Sequence, residues 1–399
     1  MGEPPICPYS DRARLANRFA GKVMRALRLP VIAAIAATAL AACGGGAAPG
    51  VIPVSTASCG GDWHLAGPGW HTFQVRNDST GGAEIDLINP ASNAVYAEIA
   101  NFGPGTTAPM RLNVGSGAYA FRCLFDDQDP MTGRTVTVPG HATGTPAIEP
   151  VTYNQLTPLA IRYQAYTAAG LDTLAAQTAT LAAKVAQGHL AAAKQAWLTA
   201  HLTYERLGAA YDAFGAFDGK INGPADSAGV HSTQWTGFYR LEYGLWHGQP
   251  ARELTPVAAT LARDVLALRK AWPGMQVAQL DVGLRTHEIL ENALQFQLTG
   301  ADDYGSGTTL ATTEANITGT RELLALLHPL LVPRYAALPD TERWLDRLAA
   351  LLEKQHRPDG SWVPVASLSP GTREQINAAC GQALQLLAPI ADIAEPRNI

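Results

Sequence analysis

From residue 51 to 140 hydrophobic and polar positions alternate over short runs, broken by Gly, Pro, Asn and Asp. The runs 71–76, 84–88, 110–114, 118–123 and 135–138 each read as a strand with one face turned inward. Short strands at this spacing predict a β-sandwich over 51–140, with Gly115-Ser116-Gly117 as a hairpin turn between two of them. A Gly/Thr/Pro-rich linker, 141–152, follows, and beyond it the period changes. Apolar residues now recur at helical spacing in long Ala- and Leu-rich segments separated by Gly and Pro, which predicts an all-α helical bundle over 153–399. Helices are expected at 159–187, 189–214, 235–246, 256–272, 275–298, 310–331, 341–356 and 370–393.

The N-terminus follows neither pattern. Basic residues from Arg12 to Arg28 precede a uniformly apolar run, 29–42, too short to span a bilayer. This is a signal-peptide pattern, and Met24 followed by Arg25 offers a second start for it. The run closes on Leu40-Ala41-Ala42-Cys43 and then glycines, as in the lipobox of bacterial lipoproteins. Residues 1–43 are therefore expected to be a lipoprotein signal peptide, Cys43 the lipidated anchor and 44–50 a linker. Export implies an oxidising compartment, so the other cysteines are expected to be oxidisable rather than cytosolic metal thiolates. Cys59 and Cys123 fall at the two ends of the small β domain and are expected to pair, while Cys380 reads as a buried helix residue. A net charge of −5, with no basic cluster beyond the leader, argues against a nucleic-acid partner.

One constellation carries chemistry. Trp197, His201, Glu205 and Gly208 share a helix face, and His201 and Glu205 interrupt an otherwise apolar or small-residue stripe. An unpaired carboxylate inside a bundle costs several kcal/mol, so this face calls for a cation, a metal or a hydrogen-bond network. Glu288 and Glu291, three apart with His287 alongside, form a second acidic pair, and Asp218 and Glu242 add further carboxylates. Carboxylates and imidazole converging from several helices are how bundles build metal sites. Such donors suit Fe, Mn, Zn2+ or Cu2+ rather than a soft-metal site. The plainer reading is an intrahelical His201–Glu205 pair worth a few tenths of a kcal/mol. His287-Glu288-Ile289-Leu290-Glu291 invites comparison with the zinc-peptidase HExxH helix, but Glu stands where the second His belongs, which disfavours a peptidase.

The segment from Trp197 through His201 and Glu205 to Ala209 resembles the imelysin-like domain of the EfeO/EfeM family. So do Phe214-Gly215 with Asp218, Trp235 through Glu242, Glu288 through Glu291, Leu298-Thr299-Gly300 and Glu314 through Gly319. The β domain looks like the cupredoxin-like module of the same family, on Cys59, Asn101-Phe102-Gly103-Pro104-Gly105 and Gly117-Ala118-Tyr119 before Cys123. The implied architecture is an N-terminal cupredoxin-like β-sandwich followed by an imelysin-like all-α bundle. The resemblance implies a binding protein without turnover, lipid-anchored in the periplasm or on the outer face of the cell membrane. It would bind iron, Fe2+ or Fe3+, and pass it to a membrane iron permease, with a haem peroxidase of the same system as a further partner.

His201, Glu205, Asp218, Glu242, Glu288 and Glu291 are the expected metal ligands, joined by Tyr239 in the His position of the family's Gly-x-His-x-x-Glu motif. A tyrosine there suits Fe(III) as phenolate. No His lies between Cys123 and Met131, so a mononuclear blue-copper site is not expected in the β domain. The alternative is a polysaccharide- or polymer-binding lipoprotein of the imelysin-like class, with Trp235, Tyr239, Tyr243 and Trp246 as an exposed aromatic row.

Overall fold

The computed structural model of the chain describes residues 50–126, 128–225 and 229–396. The expected signal peptide with Cys43, and residues 44–49 of the linker, lie outside the described residues.

The N-terminal part is a two-sheet sandwich. Its strands are β1 (Val51–Ser55), β2 (Ser58–Cys59), β3 (Gly69–Asn77), β4 (Ala83–Ile88), β5 (Val95–Phe102), β6 (Thr107–Val114), β7 (Gly117–Phe125), β8 (Met131–Thr132) and β9 (Val136–Val138). One sheet runs β2-β1-β3-β6, with β1 parallel to β3, and the other runs β5-β4-β7-β8, with β9 also on β7. Alternation places Phe73 and Val75 of β3, Ile85 and Leu87 of β4 and Phe121 of β7 in one core with Trp63. Cys59 and Cys123 are joined by a disulfide that ties β2 to β7 across this core.

The expected hairpin at Gly115-Ser116-Gly117 is corrected: β6 pairs with β3 and β7 with β4, so these residues carry the chain from one sheet to the other. Both the N–H and the C=O of Gly115 bond the Tyr119 hydroxyl, at 3.0 and 3.1 Å. A Cβ on Gly115 would lie 2.7 Å from the Gly144 nitrogen. This corner is built on close backbone approach, which alternation along a strand does not register.

The C-terminal part is helical. Its helices are α1 (Tyr153–Ala186), α2 (Leu190–Glu205), α3 (Tyr211–Phe214), α4 (Ala216–Asn222), α5 (Gly237–Trp246), α6 (Ala251–Ala271), α7 (Gln279–Asn292), α8 (Thr309–Leu331), α9 (Leu338–Glu353) and α10 (Pro370–Ile393). Helix α1 starts six residues before the expected 159, because Thr152 and Gln155 form a capping box and Pro158 is accommodated inside the helix. The expected 189–214 helix instead stops at Glu205 and continues as a 3-10 turn, Gly208–Ala210. A Cβ on Gly208 would lie 3.0 Å from the Ile289 side chain, so the glycine lets α7 approach. After Asn292, α7 widens into a π turn, Ala293–Gln297. The apolar stripes of these helices bury one continuous core running from Val151 to Ala394. No described helix is long and apolar enough to cross a membrane.

Candidate metal centre

Helix α2 ends on a charge. A carboxylate in the last turn of a helix faces the negative end of the helix dipole, and Glu205 is also buried. Three side chains answer it. Glu205 Oε1 accepts from Asn222 Nδ2 at 2.7 Å and Oε2 from Asn316 Nδ2 at 2.9 Å. His201 Nε2 lies 3.1 Å from Glu205 Oε1 and 3.1 Å from Asn222 Oδ1. Both neighbours are acceptors, so the Nε2 proton is assigned by them. Burial alone would raise the Glu205 carboxyl, but His201, Asn316 and Asn222 together hold it below its ordinary value. Glu205 is therefore a fixed negative charge in the bundle.

A cavity of about 250 Å3 opens on that charge, lined by Glu205, Asp218, Tyr239, Asp302 and amide side chains that include Asn316 and Gln297. Helix α4 brings Asp218, whose Oδ1 accepts from the buried Tyr204 hydroxyl. Helix α5 brings Tyr239, and the segment after the π turn brings Asp302, whose Oδ2 accepts from Tyr239 at 3.5 Å and from Gln297 Nε2 at 3.3 Å. The start of α5 demands glycine: Gly237 has φ +88°, and a Cβ there would lie 2.4 Å from the Ile221 carbonyl oxygen. Trp197 Nε1 donates to the Phe238 carbonyl at 2.9 Å, locking α5 against α2.

The carboxylates feel one another. Burial raises Asp218, and the Glu205 charge adds to that rise. Asp302 is pushed up to about 6 by burial and then by Glu205. Burial, followed by the Glu205 charge, also holds the Tyr239 phenol well above its ordinary value. A cation in the cavity would reverse each of these influences at once. The donor set of carboxylates, a phenol and amide oxygens fits a hard ion. It is an open arrangement, however. Among the described residues the one group of three or more His, Cys, Asp or Glu side chains whose ligand atoms all come within 4.8 Å of one another is Glu84, Asp86 and Glu98, in the sandwich and not in the cavity. That trio is engaged by neighbours, Asp86 by a buried Arg122 at 2.7 Å.

Of the seven expected ligands, Glu205, Asp218 and Tyr239 line the cavity, and the structure does not bring the other four to it. His201 stacks on Trp197, with ring centroids 4.8 Å apart, and supports Glu205. Glu242 is buried, but its Oε1 accepts the backbone N–H groups of Tyr304 and Ser306 at 3.1 and 3.0 Å, so it anchors the loop that carries Asp302. Helix α7 turns Arg285, Ile289 and Asn292 to the cavity, which puts position 291 on another face and leaves position 288 on the flank of the stripe, outside the lining. Glu288 pairs with Arg285 at 3.0 Å, and Glu291 is 46% exposed beside His287 at 3.7 Å.

Asp302, Asn222, Asn316 and Gln297 were not expected at the site. Asp302 stands in a visibly acidic loop, but nothing local shows that the loop folds over α5. The aromatic row does not form an exposed platform, since Trp235 and Tyr239 are buried.

Residues 160–391 match the sequence profile of the imelysin family. The chain is similar to the "Iron uptake system component EfeO" of Yersinia pestis, 29% identical over 262 residues, 65% of this chain and 68% of that one. It is 26% identical over 298 residues to the protein of the same description from Escherichia coli (strain K12), 72% of this chain and 76% of that one. It is 27% identical over 169 residues to the "Iron uptake system component EfeM" of Pseudomonas syringae pv. syringae (strain B728a), 42% of this chain and 59% of that one.

Proposed function

We propose that this chain, which belongs to the imelysin family and within it to the EfeO/EfeM proteins, is the extracytoplasmic iron-binding component of an iron uptake system. Iron is its cargo, received in the helical cavity and passed to a membrane permease, with Cys43 as lipid anchor and a haem peroxidase as a further partner of the system. The observation that carries the reading is Glu205: a buried carboxylate kept ionised by three neighbours, facing a cavity shared with Asp218, Asp302 and Tyr239. A side chain held charged at the end of a helix, among further acidic groups, has its energetic complement in a cation. Hydrolysis has less to build on, because His287 and Glu291 pair with each other outside the cavity.

The test is calorimetric titration of Fe(II), under anaerobic conditions, and of chelated Fe(III) into the purified protein and its Glu205→Ala variant. Saturable binding that the variant loses supports the reading. Binding that ignores the substitution, or no binding of either ion, refutes it.

A further inference from the structure

The acidic groups of the cavity leave a gap between them, and a neutral group stands beside it. Gln297 is the last residue of the π turn that follows α7. In a π turn the bonds reach back five residues, as Leu298 N–H does to the Ala293 carbonyl at 2.8 Å. The extra residue in the turn resets the phase of the face, and Phe296 and Gln297 join Asn292 along the cavity wall. Turns of this kind recur where a helix must re-aim a side chain at a functional site.

Gln297 is 6% exposed. Its Nε2 donates to Asp302 Oδ2 at 3.3 Å, and this fixes the amide, since the reverse orientation would set an oxygen against a carboxylate. The other end, Oε1, is buried and has no hydrogen-bond partner among the protein groups around it. Of the buried side-chain oxygens without a partner among the described residues, it is the one that lines the cavity. Buried acceptors are satisfied as a rule, and an amide oxygen among carboxylates has two ways to be satisfied: a donor, or a hard cation, for which side-chain amide oxygens are ordinary ligands. Every carboxylate facing this space already draws on a donor, Glu205 on Asn222 and Asn316, Asp218 on Tyr204, and Asp302 on Tyr239 and Gln297 itself.

We propose that Gln297 Oε1 is a ligand to the cation in this cavity, aimed by the π turn and held by Asp302. The inference rests on the cavity being the cation site and goes beyond it by assigning a neutral ligand. It also makes the donor set all oxygen, because the His201 imidazole serves Glu205 instead of the cavity. The ligand class is therefore a hard, oxygen-preferring ion.

The experiment uses terbium(III), a hard trivalent probe whose emission is sensitised by nearby tyrosine and whose lifetimes in H2O and D2O count its bound waters. It is bound to the whole protein and to Glu205→Ala, Gln297→Leu and Gln297→Glu. The expected result is sensitised emission lost in Glu205→Ala. In Gln297→Leu the ion should gain about one water as a protein oxygen is replaced, and affinity should fall by roughly tenfold or more. Gln297→Glu, which restores an oxygen, should return the water count to that of the parent. The same water count and affinity in Gln297→Leu as in the parent overturns the assignment while leaving the cavity as the cation site. So does a Gln297→Glu protein that melts like the parent yet keeps the extra water. Absence of Glu205-dependent emission in the parent overturns the cavity reading, and this assignment with it.

Discussion

Replacing Glu242 by Gln separates the charge of this residue from its grip on the loop. Burial lifts the Glu242 carboxyl from an ordinary 4.5 to about 7 in the folded protein. Below about pH 4.5 the folded and unfolded chains are both protonated there, and the shift contributes nothing. Between that value and about 7 the unfolded chain releases a proton that the folded one keeps. Stability therefore falls as pH rises, by about 1.4 kcal/mol per pH unit and on the order of 3 kcal/mol across the window. Above about 7 both states are ionised and the loss is constant.

Gln cannot titrate, yet its Oε1 can accept both amides that Glu242 Oε1 accepts, from Tyr304 and Ser306. Urea unfolding of metal-free protein, followed by circular dichroism from about pH 5 to about pH 8, should show the Gln variant gaining on the parent as pH rises. The total gain should be on the order of 3 kcal/mol. Glu242→Ala instead leaves two backbone donors without their acceptor, a cost of about 1–3 kcal/mol each at every pH. A difference between parent and Gln variant that is flat across this range would refute both the buried-carboxyl argument and the sign derived from it.

Three further outcomes are expected. Glu291→Ala should leave iron affinity in calorimetric titration within about twofold of the parent, since surface substitutions away from a site change energies by about 0.5 kcal/mol or less, whereas Glu205→Ala should abolish binding. Gly237→Ala should lower stability by about 1–3 kcal/mol for the positive φ alone, and more for the clash with the Ile221 carbonyl; urea unfolding measures the loss, and a neutral substitution would contradict the geometry. Reducing the disulfide, whose cysteines lie 64 residues apart, should destabilise the sandwich by about 4 kcal/mol in the chain-entropy account. The helical part, which holds no disulfide among the described residues, should keep its melting transition under the same reductant.

What could be read from the chain alone, and what could not, divides along a physical line. Helical periodicity is local, and the last helix was legible to the residue, Pro370–Ile393, because Pro at its start and an uninterrupted stripe define it. Glu205 was legible for a similar reason: a carboxylate that interrupts an apolar stripe needs a partner wherever the stripe docks. Strand pairing is not local. Alternation located the runs that became β6 and β7, yet it could not show that they join different sheets, because the corner depends on Gly115 meeting Gly144.

The phase of a helix is likewise a tertiary quantity. In α7 the acidic position 291 and the stripe of Arg285, Ile289 and Asn292 are equally visible along the sequence, and it is the stripe, with Ile289 packed on Gly208, that faces the cavity. Gln297 was further out of reach. An α-helix continued through 293–297 would carry its face about 100° per residue, whereas the π turn inserts a residue and shifts that phase. The side chain with the clearest unmet need in the cavity is thus the one that regular periodicity would misplace. A residue's chemistry can be read from the chain, but its direction here is settled by the one turn that departs from the helical repeat.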